Sequence, residues 1–320
     1  LHDADVYWCT ADPGWVTGTS YGVIAPLVCG VTSVVVEAEF DAATWYDVLE
    51  RERVSVWYTA PTAIRMMMKL GTAPLAGRDL SSLRFWVCAG SPIPTAVVER
   101  ASEAFPRCRV LSLYGRSENF LTAMCTLDDP PERSATSDGR ALAGASIEVV
   151  GPDGLELPRG QEGDIAYRGP SHMIEYFHNS EETEALFTPQ GYSRSGDLGR
   201  MDEDGFVRVT GRLKDIVIRG GMNISARELE EHLAAHPRIE NIAIVGMPDE
   251  RLGEKGCAYV IPKSPDDPVT LQDVIEFLRE NGVATQKLPE RLELVSSFPM
   301  TATGKIQKHV LRSDIAAKLP

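Results

Sequence analysis

The stretch VSVWYTAPTAIRMMMKL, residues 54–70, sets a β-rich run directly against a segment whose apolar residues recur at helical spacing. VSVWYTA reads as a buried strand and residues 61–70 as a helix, with Met66–Leu70 as helix core rather than a ligand surface. One such unit says little, but its repetition decides the fold. VYWCTA (6–11), TSVVVEAEF (32–40), LRFWVCAG (83–90) and RVLSLYG (109–115) are further strand-like runs, and residues 41–53 and 95–105 carry helical spacing. Alternation of this kind implies an α/β fold, a parallel sheet with helices packed on it. Such sheets bind ligands at the carboxyl ends of their strands. CAGSP (88–92) and YGRSEN (114–119) stand where strands should end.

From about residue 140 to 212 the runs shorten and Gly, Pro and Asp punctuate them, as in ASIEVVGPDG (145–154), GDIAYRG (163–169) and GFVRVTGR (205–212). This texture predicts an antiparallel or β-barrel-like subdomain. Beyond Arg212 lies a compact mixed α+β region: a hairpin in DIVIRGGMNI (215–224), a helix from Ala226, strands in NIAIVGMPD (241–249) and KGCAYVIP (255–262), and a helix over Leu271–Glu280. The expected organisation is therefore a unit over 1–212, with a sheet subdomain over 1–139 and a barrel-like one over 140–212, followed by a smaller domain over 213–320.

Composition narrows the function classes. The chain has 320 residues, 43% of them apolar, enough for real cores. Its formal charge of −14 argues against nucleic acid as a partner, because neutralising phosphates needs an excess of Lys and Arg. Six cysteines without CxxC spacing argue against a zinc site or a disulfide framework and point to a reducing cytoplasm. No apolar run reaches the length of a membrane span. The chain opens on Leu1 and enters a strand-like run almost at once, which reads as a chain whose beginning is missing.

Three segments could carry chemistry. In YSRSGDLG (192–199), Asp197 could accept hydrogen bonds from two vicinal hydroxyls of a ribose, with Arg212 near enough in sequence to serve phosphate or ribose. In YGRSEN, the Ser117 hydroxyl and the Glu118 carboxylate could meet a phosphate and its Mg²⁺. In PMTATGKIQKHVLR (299–312), Gly304 frees the backbone and Lys305 projects a compact positive charge. Taken singly, each has a plainer reading: ordinary turn chemistry for SGD, a polar loop capping a following helix for YGRSEN, and a loop before a basic amphipathic helix for the last.

Read in order the segments converge. YWCTADPGWVTGTSYG (7–22), YTAPTAIRMMM (58–68), CAGSPI (88–93), YGRSEN (114–119), YSRSGDLG (192–199), GRLKDIVIRGGMNISARELE (211–230) and PMTATGKIQK (299–308) resemble, along essentially the whole chain, the adenylate-forming acyl-CoA synthetases. The resemblance implies a two-step ligase. A carboxylic acid attacks the α-phosphate of Mg²⁺·ATP to give an acyl-adenylate, and coenzyme A then displaces AMP. It implies that Lys305 bridges the carboxylate and the α-phosphate, that Asp197 binds ribose with Arg212 beside it, and that Glu118 is the Mg²⁺-linked glutamate. It further implies that Ser117 contacts phosphate, that Gly90, Ser91, Pro92 and Tyr114 lie on the adenine side, and that Trp15, Val16, Thr17 and Gly115 belong to the acyl pocket. Lys214 takes the hinge position of a mobile C-terminal domain, and Gly220 and Gly221 line the coenzyme A tunnel. PMTATGK also matches the context in which related synthetases are switched off by lysine acetylation, here at Lys305.

Two departures qualify these implications. Acetate-specific members carry a tryptophan pair where Tyr114 and Gly115 stand here, so an acid larger than acetate is expected. The Ser/Thr/Gly-rich phosphate loop of the family is not found in this sequence, which implies weak nucleotide binding and exposed apolar surface. Two other readings follow: an aryl-acid adenylating enzyme that loads a carrier protein, and a non-catalytic remnant.

Overall fold

The computed structural model describes residues 1–37, 41–71, 73–90, 95–301 and 306–319. The chain divides into two compact units, Leu1–Ser195 with Gly199–Val209, and Gly196–Leu198 with Thr210–Pro320.

The first unit is built on a six-stranded sheet of β1 (Val6–Cys9), β2 (Thr32–Val34), β3 (Val56–Thr59), β4 (Phe85–Cys88), β5 (Arg109–Arg116) and β6 (Asn119–Met124), in the order β2-β1-β3-β4-β5-β6. The first five are parallel and β6 runs antiparallel to β5, so the sheet is mixed. The in-register ladder sets Trp8 against Trp57 and Trp57 against Trp86. Their rings therefore stack at 5.5 and 4.4 Å between centroids, close to the spacing of neighbouring strands. Trp45, from the helix Ala42–Arg51, and Phe105, which follows the helix Thr95–Ala104, meet this column edge-on. The helix Pro61–Lys69 buries Met67 in the same core, while Met66 is exposed.

Ahead of β2, a wide helical turn over Gly18–Ile24 leads into the short helix Ala25–Cys29, where Leu27 and Val28 are 76% and 80% exposed. This stretch shows no strand-helix alternation in sequence, and its helical turns were not anticipated.

A second sheet joins β7 (Ser146–Val150), β8 (Gly163–Arg168), β9 (Ser193–Met201) and β10 (Val207–Arg212) in the order β10-β9-β8-β7, with β7 antiparallel to β8. It is the antiparallel subdomain expected for the Gly- and Asp-punctuated region. A helix over Ser180–Leu186, capped by Asn179, precedes β9.

The second unit holds β11 (Ile216–Arg219), β12 (Met222–Ser225), β13 (Ile239–Asp249), β14 (Gly253–Pro262) and β15 (Arg291–Leu294), ordered β12-β11-β14-β13 with β15 parallel to β14. Alternate residues of β13 point to opposite faces, as the pleat requires. Ile242 and Ile244 pack with Leu229 of the helix Ala226–Leu233 and Leu278 of the helix Leu271–Glu280. Ala243 and Val245 pack with Leu311 and Ile315 of the helix Lys308–Ala317. This α+β layer is the C-terminal architecture expected from the sequence.

Candidate active site

The topology gathers several of the sequence-predicted residues at the carboxyl edge of the parallel sheet. Gly90 lies on a bend just after β4, exposed and left-handed at φ +94°. Tyr114, Gly115, Ser117 and Glu118 belong to the end of β5 and its turn. Trp15, Val16 and Thr17 follow β1 and lead into the wide turn over Gly18–Ile24, each partly buried. Tyr21 connects that turn to the β5–β6 hairpin: its ring stacks on Tyr58 at 4.7 Å, and its hydroxyl donates to the Phe120 carbonyl at 3.1 Å. Ser91, Pro92 and Lys305 lie outside the described residues.

YGRSEN is not a strand end followed by a helix. Ser117 and Glu118 are the two-residue turn of a β-hairpin, with Arg116 paired to Asn119. Neither turn residue has positive φ. The pairing slips beyond the tip, since Tyr114 pairs with Ala123, so that Phe120, Leu121 and Thr122 face Gly115 alone. A Cβ on Gly115 would fall 2.2 Å from the Phe120 carbonyl oxygen. The expectation that Gly115 opens room for a larger acid is thereby corrected, because the Phe120 backbone fills the space where its side chain would begin.

The hairpin is held from outside. Arg116 donates to the Asn119 side chain at 2.6 Å and to the Ser193 carbonyl at 3.0 Å, and also bonds the Arg194 carbonyl. Buried Asn119 donates to Thr122 Oγ1 at 2.9 Å. On the other side, Met173 N–H donates to the Glu118 carbonyl at 2.7 Å, and the Tyr176 hydroxyl donates to Glu118 Oε1 at 2.8 Å. Burial and the bond to Glu118 hold the Tyr176 phenol above its ordinary value, so it stays protonated and donating at neutral pH. Sequence reasoning missed Tyr176. The one signal near it is Asn179 ahead of acidic Glu181 and Glu182, a helix start that fixes the chain next to Tyr176.

Asp197 on β9 is 6% exposed and accepts a hydrogen bond from Arg212 Nε at 2.7 Å. Sequence proximity suggested the pair, and the structure brings the two side chains together. Lys214 is exposed in the 3-10 turn Leu213–Asp215, and its carbonyl accepts from Arg312 Nη2 at 2.7 Å. Arg312 also pairs with Asp215, and Lys308 pairs with Glu230 at 2.7 Å. The turn is thus tied to the start of the last helix, three residues after Lys305 in sequence. Gly220 and Gly221 form the two-residue turn between β11 and β12 at φ +57° and +83°. Left-handed conformation at both positions is what a type I′ hairpin turn requires and what glycine supplies without strain.

Against known families, residues 1–177 match the AMP-binding enzyme model and residues 228–305 the AMP-binding enzyme C-terminal domain. The chain belongs to the AMP-binding enzyme family. A medium-chain fatty-acid–CoA ligase of Escherichia coli (strain K12) is 40% identical over 98% of this chain and 55% of its own length. An acetyl-coenzyme A synthetase of Bacillus subtilis (strain 168) is 34% identical over 98% and 55%. ATP-bound MatB from Rhodopseudomonas palustris superimposes with a TM-score of 0.86 at 28% identity, over 98% of this chain and 61% of that one. The chain spans about half the length of the curated relatives it matches.

The residues of this AMP-binding chain fit a divalent cation of the Mg²⁺ kind. Among the described residues no group of three or more His, Cys, Asp or Glu could hold a metal alone, and no cation pairs with Glu118. Mg²⁺ dehydrates reluctantly and is commonly held by one or two carboxylates together with nucleotide phosphates and water, which is what a single carboxylate at a hairpin tip offers. Among the described residues, no helix is long and apolar enough to cross a membrane.

Proposed function

We propose that this chain carries the machinery of an ATP-dependent acid–thiol ligase. The observation that carries the reading is Glu118, a carboxylate at the carboxyl edge of the parallel sheet with one oxygen held by Tyr176 and no cationic partner among the described residues. In the first step a substrate carboxylate oxygen attacks the α-phosphorus of ATP. The bond to the β-phosphate oxygen breaks, pyrophosphate leaves, and an acyl-adenylate forms. In the second, the sulfur of coenzyme A attacks the acyl carbon and AMP leaves.

Both reactants of the first step are anions, so preorganised positive charge at the reacting atoms lowers its barrier. Lys305 supplies that charge in this reading, and acetylation of Lys305 would remove it. Mg²⁺, when bound beside Glu118, neutralises phosphate charge. Ser117 donates to phosphate, Asp197 accepts from the ribose hydroxyls with Arg212 as its partner, and Gly90, Ser91, Pro92 and Tyr114 lie against adenine. Trp15, Val16, Thr17 and Gly115 border the acyl group, Gly220 and Gly221 leave room for the thiol arm, and Lys214 is the pivot of residues 213–320. The acid is larger than acetate; the higher identity to the medium-chain ligase than to the acetyl-coenzyme A synthetase supports this. All six cysteines are free, in keeping with a reducing cytoplasm.

The test is acid-dependent ATP–pyrophosphate exchange with acetate, octanoate, benzoate and cyclohexanecarboxylate. Exchange is expected with one of the larger acids and should fall roughly 10²–10³-fold in Lys305→Ala, the loss that follows removal of one preorganised donor. A folded chain without exchange on any acid would sink the reading, and preference for acetate would sink the substrate class.

A further inference from the structure

We propose that Tyr176 is the positioning residue of the Glu118 carboxylate, engaging one carboxylate oxygen so that the other is presented to a nucleotide-borne divalent cation. The inference rests on the reading of Glu118 given above and extends it to a residue in a different sheet's connection.

The loop that carries Tyr176 clamps Glu118 twice. Its main chain takes the Glu118 carbonyl through Met173 N–H at 2.7 Å, and its Tyr176 hydroxyl takes the side chain at 2.8 Å. The tyrosine is itself anchored. Its backbone N–H donates to Thr183 Oγ1 at 3.0 Å, the Thr183 hydroxyl donates to the Asn179 carbonyl at 2.7 Å, and the Asn179 side chain caps the helix Ser180–Leu186 through Glu182 N–H at 3.2 Å. A chain of hydrogen bonds therefore runs from a helix start to one carboxylate oxygen. Ile174 and Phe177, on either side of Tyr176, are 93% and 84% exposed, so these polar ties rather than apolar packing set the position of that segment.

The chemistry of the donor matters. An Arg or Lys in this place would orient the carboxylate but cancel the charge that a cation needs. A phenol is neutral, and it fixes the geometry while leaving the carboxylate charge intact. Hydrogen-bond partners of metal ligands act in this way, and their loss typically costs roughly 10–100-fold in metal affinity.

The experiment uses Mn²⁺ as the probe, titrated into the full 320-residue chain with and without saturating ATP, with free Mn²⁺ read by electron paramagnetic resonance. Tyr176→Phe removes one oxygen and should weaken ATP-dependent Mn²⁺ binding about tenfold or more. Metal-free ATP affinity and the thermal midpoint should stay as in wild type. Thr183→Ala, which loosens the anchor but keeps the phenol, should give a smaller loss in the same assay. It carries the test if the Phe variant proves unstable. Wild-type Mn²⁺ affinity in a folded Tyr176→Phe chain overturns the inference while leaving Glu118 as a metal site. Equal loss of metal-free ATP binding assigns Tyr176 a structural role and overturns it as well. A wild-type chain with no ATP-dependent Mn²⁺ binding removes the reading of Glu118 and this inference together.

Discussion

Two hairpins of this protein make opposite use of a two-residue turn. Between β11 and β12 the turn is Gly220–Gly221, both left-handed, with no side chain to offer a ligand. Between β5 and β6 it is Ser117–Glu118, with neither residue left-handed and both able to bind. The first turn is written in local backbone chemistry. The second lacks that chemistry, and its strands slip out of simple register over Gly115. Arg116, Met173 and Tyr176 hold it from outside. A turn that must present functional side chains cannot also be chosen for its φ angles, so its geometry has to come from tertiary contacts.

Substitutions can break that contrast in order of size. Gly115→Val should be the most damaging. Its Cβ would collide with the Phe120 carbonyl, and the expected loss is about 3 kcal/mol, the upper end for overpacking, read as a lower urea midpoint. Gly221→Val should cost less, about 2 kcal/mol, because nothing lies within 4 Å of the added Cβ and only the left-handed backbone resists it. Gly221→Asn should recover part of that, since Asn tolerates the region. If Gly221→Val proved neutral, backbone chemistry would not be what sets this turn. Glu118→Gln should move the unfolding free energy by no more than about 0.5 kcal/mol, as exposed turn positions do, while ATP-dependent Mn²⁺ binding collapses. A large stability loss there would show that the carboxylate holds the hairpin rather than a ligand.

The smallest effect concerns another locally written element, the start of the helix Leu271–Glu280. Asp273 accepts from the Thr270 backbone and hydroxyl, which holds its carboxyl down at about 2 against an ordinary 3.8. A depressed carboxyl stabilises the fold above its ordinary value, and that contribution fades as pH falls through about 2. In Asp273→Asn, amide exchange of this helix should lose its pH dependence over that interval. A profile unchanged from wild type would detach the cap from the helix's stability.

The strands of the parallel sheet, the helices between them and the mixed C-terminal region were legible in the sequence because each follows from short-range rules. Apolar runs, 3.6-residue spacing, the paired glycines at 220–221 and the apolar helix over Leu271–Glu280 all act within a few residues. The pairing of Asp197 with Arg212 was within reach, because a short strand-turn-strand connection joins them. What failed was YGRSEN as a strand end before a helix. Residues 119–124 could have continued in either form, and pairing with β5 decided for a strand.

The sequence by itself determined which residues can do chemistry here and which segments are strands or helices, because side-chain type and periodicity are local properties. Only the tertiary structure decided that Gly115 serves chain packing rather than an open pocket. The tertiary structure alone also brought Tyr176, 58 residues further along the chain, to the Glu118 carboxylate. Close approach of backbone to backbone, and hydrogen bonds between distant loops, depend on how layers pack, and no short window of sequence contains that information.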